Sequence, residues 1–392
     1  MPEIKSVTTL RFFAAFYVLI FHLYIHIGFI VGGKHVMEHL NTFLRQGAAG
    51  MSLFFVLSGF VLAYNYALAP LSPGQFYLRR FARIYPVYVL AALVTIPWFW
   101  VFNETLPHTW DLAAFIVMVN VLGLQAWLLE FVGYWNAGAS WSVSVELFFY
   151  ALFPAILFLL RRSSTRQLIL VMAGAYAFLA FMSLTAFIFP NNVAPFYTIP
   201  IYRLPEFVMG CCVGIGFVRG DLLLRHPRLW AGAATVAILT YFWFRAPTIV
   251  HAQHGFIIAP CFALIIWGLA GGSMDRIGRA LLENRVIVLL GRSSYCLYLL
   301  QSVPLLTWFS YKEELVKLMP TPNDRGWFVL AILVAMLVTS VLVHVYFEEP
   351  CRRWISGRKW SKAQRNQQGP ISSESERDAP DRPARDAAVP AR

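Results

Sequence analysis

Two ionisable residues, Arg11 and His22, interrupt the apolar run Leu10–Tyr24, which reads LRFFAAFYVLIFHLY. An arginine at the centre of a membrane helix costs about 2.5–3.5 kcal/mol on insertion scales, so each needs a reason to be there. The two are eleven positions apart, about three helical turns, which puts both on one face and separates them by about 16 Å along the axis. That face offers a fixed cation near one end and a titratable base further along. A plainer alternative has Arg11 snorkelling to the interface and His22 making an interhelical hydrogen bond. His26 follows His22 by one turn, but no Cys, Asp or Glu accompanies the pair. It reads as a polar interfacial residue, and no metal site is expected.

A carboxylate that could orient His22 lies in Trp141–Tyr150, WSVSVELFFY. If this segment runs from outside to inside, Glu146 sits about 7 Å below the outer surface, a depth similar to that of His22. A carboxylate there would orient the imidazole and raise its basicity, with Ser142 and Ser144 lining the approach; the alternative is an ordinary buried polar contact. Ser58 and Gly59, in FFVLSGFVLAY, leave a small notch that serves close helix packing or the passage of a thin ligand chain. Arg80 and Arg83 are one turn apart, a spacing suited to phosphate as well as to topology. Arg203 and Glu206, three apart, can pair, and Glu348 and Glu349 of FEEPCRRW lie near basic loops, reading as structural ion pairs.

The elements that must hold these residues are membrane helices. Of 392 residues 58% are apolar and only 13% charged, against about 25% in soluble domains. Apolar segments fall near 7–28, 47–68, 84–102, 111–130, 142–160, 168–189, 204–218, 229–244, 252–270, 287–308 and 327–346, mostly near the length that crosses a bilayer. The fold class is all-α, a polytopic membrane bundle. The net charge of +12 resides in short loops, including Arg219, Arg225 and Arg228, and Arg352, Arg353, Arg358 and Lys359. That pattern fits positive-inside topology rather than nucleic-acid binding. Both termini are then cytoplasmic, which requires an even number of crossings. Ten helices are expected, with 111–130 re-entrant or interfacial because it carries Asp111, Asn120, Gln125 and Glu130. The five cysteines lack metal or redox spacing, and the first segment reads as a retained span, not a cleaved signal. Residues 361–392 have almost no large apolar side chains and read as a disordered cytoplasmic tail. With no appended soluble domain evident, chemistry is expected in or at the bundle of residues 1–360.

In this order the motifs resemble the acyltransferase-3 family of integral membrane acyltransferases. Arg11 and His22 correspond to an Arg and a His in the first helix, Ser58–Phe60 to a Ser-Gly-Phe segment and Arg80 with Arg83 to an Arg-x-x-Arg motif. Trp141–Glu146 corresponds to Trp-Ser-x-Ser-x-Glu and Arg203–Phe207 to Arg-x-x-Glu-Phe. The resemblance spans about residues 5–355. One departure is Gln301 in SYCLYLLQSVP, where members often carry a His. The resemblance implies a bacterial inner-membrane enzyme that O-acylates glycans or glycosylated metabolites. Acetyl-CoA or another short acyl-CoA is the implied co-substrate, with no tightly bound cofactor. On that reading Arg80 and Arg83 hold the CoA phosphates, and Arg11 steers the pantetheine or polarises the thioester. His22 acts as base or transient acyl carrier, and Glu146 orients it. Ser58, Gly59, Trp141, Ser142, Ser144, Arg203 and Glu206 line or support the path. The rival readings are a transporter or flippase for a lipid-linked sugar or anion, with Arg11, Glu146 and Arg203 along its pathway, and a partner-binding scaffold.

Overall fold

The computed structural model describes residues 1–28, 34–100, 108–135, 139–189, 194–221, 226–244, 254–271 and 276–357. The tail 361–392, Arg225, Arg358 and Lys359 lie outside the described residues. Among the described residues the chain is helical, with no strand. The first half comprises α1 (Lys5–Ile27), α2 (Lys34–Arg45), α3 (Gly50–Tyr66), α4 (Pro73–Val94), α5 (Trp110–Val121), α6 (Trp141–Leu160) and α7 (Thr165–Ile188). The second comprises α8 (Ala194–Thr198), α9 (Pro200–Arg219), α10 (Pro227–Phe244), α11 (Gly255–Gly271), α12 (Arg276–Leu282) and α13 (Arg285–Arg292). It ends with α14 (Ser294–Leu300), α15 (Ser302–Ser310), α16 (Lys312–Leu318) and α17 (Pro322–Val343), the last continued by a π-helical turn, His344–Glu348.

Among the described residues six helices are long and apolar enough to cross a membrane, or up to eight if each of two bent pairs is one span. The expected ten exceeds this range; α4, with three arginines in its first half, and α10 are not among the six. Local sequence sets several boundaries. Capping boxes start α7 (Ser164 with Gln167) and α17 (Thr321 with Asp324), satisfying donors that the first turn leaves open. The segment expected at 111–130 does not span. Only α5 is helical there, and its 12 residues rise about 18 Å, short of a hydrocarbon core of about 30 Å. The chain then turns at Gly123 (φ 66°), and its polar residues find partners in the bundle. Gln125 donates to the Ser140 carbonyl (2.7 Å) and Tyr88 donates to the Asn120 carbonyl (2.9 Å).

The expected start at 84 is also corrected. Pro73, whose fixed φ suits the first helical position, begins α4 eleven residues earlier. Arg79, Arg80 and Arg83 therefore project from inside a helix, where rings hold Arg80 and a carboxylate and a ring hold Arg83. The expected 287–308 helix is likewise two pieces, bent by 50° between α13 and α14.

Helices α3 and α9 approach closely at two glycines. A Cβ at Gly59 would meet the Phe207 carbonyl oxygen at 2.0 Å, and one at Gly210 the Val56 carbonyl oxygen at 2.1 Å. Small residues let the backbones touch, the usual basis of association within lipid. Gly59 is thus a packing residue that faces α9 and not a passage. Gly59→Ala is expected to lower thermal stability in detergent by about 1–3 kcal/mol through overpacking. Gly174→Ala, inside α7 with a Cβ that would meet nothing within 4 Å, is expected to leave it unchanged or raise it by up to about 1 kcal/mol. Thermal unfolding of the two variants checks both.

Candidate active site

Five helices bring polar side chains to one small cavity of about 90 Å³. Arg11 comes from α1, Ser58 from α3, and Arg80 and Arg83 from α4. Helix α6 supplies Ser142, Glu146 and Tyr150, and α14 supplies Tyr295 and Tyr298. The Glu146 carboxylate accepts a hydrogen bond from the Tyr150 hydroxyl (3.3 Å), with Ser58 beside that hydroxyl. Arg11, Arg83 and Arg80 are the cations whose field Glu146 feels. Arg80 lies over the rings of Phe76 (5.8 Å) and Tyr150 (5.7 Å), and its Nε is buried without a hydrogen bond. Arg83 pairs with the buried carboxylate of Glu348 and lies over Tyr295 at 5.8 Å. Ser142 donates to the Tyr298 oxygen (2.9 Å), and Tyr298 donates to the Ala139 carbonyl (2.9 Å).

Arg80 and Arg83 also wall a second, larger chamber of about 470 Å³, with Arg79, Arg352 and Arg353. Its one carboxylate, Glu349, is engaged by Arg352 (2.5 Å) and Arg353 (2.7 Å). Five guanidinium groups, against Glu349 on the wall and Glu348 paired with Arg83, leave positive charge in excess and make a chamber suited to an anion with several phosphate oxygens.

His22 stands apart from both chambers. Its Nδ1–H donates to the Val18 carbonyl (2.9 Å), a partner that assigns the tautomer and leaves Nε2 as the basic nitrogen. The ring stacks parallel to His26 at 6.3 Å, and His26 meets Phe309 edge-on at 4.8 Å. Gln301 lies beside His22, its buried amide making no well-aligned hydrogen bond. The residue that replaces the family's usual histidine is therefore a neighbour of His22.

The expected His22–Glu146 pair is corrected: Glu146 shares its cavity with Arg11, not with His22. Depth counted from Trp141 fails because α6 begins inside the bundle. Ser140 is 1% exposed and Trp141 7%, so the start of α6 is enclosed by other elements. Ser144 does not line the approach with Ser142; two positions on, it points to the other side of α6 and donates to the Gly123 carbonyl. Trp141 packs on Tyr197 (4.8 Å) and Phe55 (6.2 Å). Arg203 and Glu206 pair as expected at 3.1 Å, with Arg203 also donating to Ser52 (2.9 Å). This buried pair ties α9 to α3 and lines neither chamber. Sequence reasoning missed Tyr150, Tyr295 and Tyr298. Tyr150 alone carried a signal, one turn after Glu146 on the same face.

An acyltransferase domain family matches residues 4–345 of the sequence. The chain belongs to the acyltransferase-3 family. It is therefore a membrane acyltransferase that transfers groups other than aminoacyl groups, which decides against the transporter and scaffold readings. Among similar proteins is acyltransferase MdmB of Streptomyces mycarofaciens, 29% identical over 91% of this chain and 94% of the relative. The putative membrane-bound transacylase BcsY of Komagataeibacter xylinus is 25% identical over 78% of this chain and 76% of the relative. The exopolysaccharide production protein ExoZ of Rhizobium meliloti is 29% identical, over 52% of this chain and 60% of the relative. No solved structure matches the chain.

The corrected partnership of Glu146 is testable in this acyltransferase. In thermal unfolding, the effects of Arg11→Gln and Glu146→Gln are expected to be coupled by about 1 kcal/mol, while those of His22→Asn and Glu146→Gln add within about 0.5 kcal/mol. The opposite pattern would restore the His22–Glu146 pair.

Proposed function

We propose that the enzyme moves an acetyl or other short acyl group from acyl-CoA to a hydroxyl of a cell-surface or secreted glycan or a glycosylated metabolite. It does so in the bacterial inner membrane, with both termini and the donor on the cytoplasmic side. The observation that carries this reading is the arginine-walled chamber that shares two of its lining residues, Arg80 and Arg83, with a smaller cavity that holds Arg11. The larger chamber has the charge for the phosphates of CoA. The smaller one, lined by Ser58, Phe54, Phe55 and tyrosines, suits a thin, uncharged arm with amide groups. The exopolysaccharide production name of one relative supports a glycan acceptor.

Arg11 and His22 sit on one continuous helix, about 16 Å apart along its axis, too far for both to touch one carbonyl. Arg11 therefore steers the arm, and His22 meets the reacting group. The acceptor oxygen attacks the thioester carbonyl carbon while His22 Nε2 takes its proton. The carbon–sulfur bond breaks, the ester forms, and the proton passes to the departing thiolate to give free CoA. The Val18 carbonyl, by accepting from Nδ1–H, supports the imidazolium that forms in between.

A deletion strain complemented with wild type or with His22→Ala tests the assignment. Mass spectrometry of surface glycans and secreted glycosides is expected to show one acyl mass lost on deletion and restored by wild type. With His22→Ala present in the membrane at wild-type level, that mass is expected to fall by at least about 100-fold. Full restoration by His22→Ala would remove His22 from the chemistry, and no altered mass in either pool would remove the acceptor class.

A further inference from the structure

A buried cluster outside both chambers remains unused by this mechanism. Glu348 is 0% exposed, yet both its oxygens are engaged. One accepts from the Arg83 guanidinium. The other accepts from His344 Nδ1–H (2.7 Å) and the Cys296 thiol (3.2 Å). Three elements thus meet at one carboxylate: α4 through Arg83, α14 through Cys296, and the end of α17 through His344 and Glu348.

The backbone at this point is unusual. Met336, Ser340, His344 and Glu348 are all buried, at four-residue spacing. At 3.6 residues per turn such a stripe rotates steadily off an interface. The wider π turn at His344–Glu348 turns Glu348 back under the bundle. π turns are rare and recur at functional sites. Here the turn serves to deliver one carboxylate to Arg83.

A buried ion pair adds little net stability compared with well-packed apolar residues, because desolvation offsets the attraction. What it supplies is geometry. Arg83 is held by Glu348 and by the Tyr295 ring, and it lines both chambers. We infer that Glu348, itself oriented by His344 and Cys296, is a positioning residue that fixes the Arg83 guanidinium on the wall that both chambers share, where it receives a phosphate of the acyl donor. The inference rests on the acyl-CoA reading above. The His, Cys and Glu atoms lie within 4.8 Å of one another, near enough to share a dication. Arg83 on the same carboxylate opposes that occupancy, so the cluster is a hydrogen-bonded clamp.

Equilibrium binding of coenzyme A to the full-length protein in detergent tests this, with thermal stability measured in parallel. Wild-type binding tests the acyl-CoA reading itself; absence of binding there would overturn that reading and the inference with it. Given wild-type binding, Glu348→Gln and Arg83→Gln are each expected to weaken CoA affinity by about tenfold, and the double variant no further than Arg83→Gln alone. Glu348→Asp is expected to recover part of the loss. At saturating donor the turnover of Glu348→Gln stays within about twofold of wild type while its KM for acyl-CoA rises. Unchanged CoA affinity in Glu348→Gln, multiplying effects in the double variant, or one equivalent of zinc that Cys296→Ser removes would each overturn the inference. If Glu348→Gln does not stay monodisperse, His344→Gln keeps the carboxylate and is expected to weaken CoA binding about threefold; wild-type affinity in that variant would overturn the inference.

Discussion

Charge inside an apolar bundle must be compensated, and the way four arginines are compensated organises this protein. Arg203 has Glu206 and Ser52, and Arg83 has Glu348. Arg11 and Arg80 form no salt bridge to a described residue and look across their cavity toward the single carboxylate of Glu146. Desolvating a cation without full compensation is costly. The place where compensation falls short is therefore where an anionic ligand has most to contribute. Arg203, with the Glu206 carboxylate at 3.1 Å, makes a structural tie and lines neither chamber.

The rest of the fold keeps that imbalance in place. The glycine contact of α3 with α9 and the Arg203–Glu206 pair fix α3 as a rigid wall, from which Phe54, Phe55 and Ser58 face the cavity. The short α5 and the turn after it fill the space beside the start of α6 with hydrogen-bonded polar groups. That start is consequently buried, and Glu146 faces the cavity that Arg11 lines. The bend between α13 and α14 and the π turn after α17 bring Tyr295 and Glu348 to Arg83. Irregular backbone is tolerated at membrane depth where it is enclosed by protein, and it is used here to orient charged side chains.

Much of this was legible in the sequence. Hydropathy gave an all-helical bundle, and polar residues at 111–130 marked a segment that does not cross. Motif order gave the family, and the three-residue spacing of Arg203 and Glu206 gave their pairing. What failed depended on relations between helices. Counting along one helix measures its own axis and says nothing of where that helix begins relative to another, so Glu146 was matched in depth to the wrong residue on α1. Arg80 and Arg83 of α4 read as a boundary because their partners, Tyr150, Tyr295 and Glu348, lie far off in sequence. The tyrosines of the cavity carry no pattern that distinguishes them from interfacial aromatics.

The central claim is that the cation-rich pair of chambers receives the acyl donor in one orientation. A structure of the protein with a non-transferable acyl-CoA analogue, whose thioester sulfur is replaced by a methylene, tests it directly. The account predicts the nucleotide phosphates among Arg79, Arg80, Arg83, Arg352 and Arg353, the arm running past Arg11 and Ser58, and the acyl end directed toward His22. An analogue bound with its phosphates away from these arginines, or with its acyl end at the face opposite His22, would contradict it.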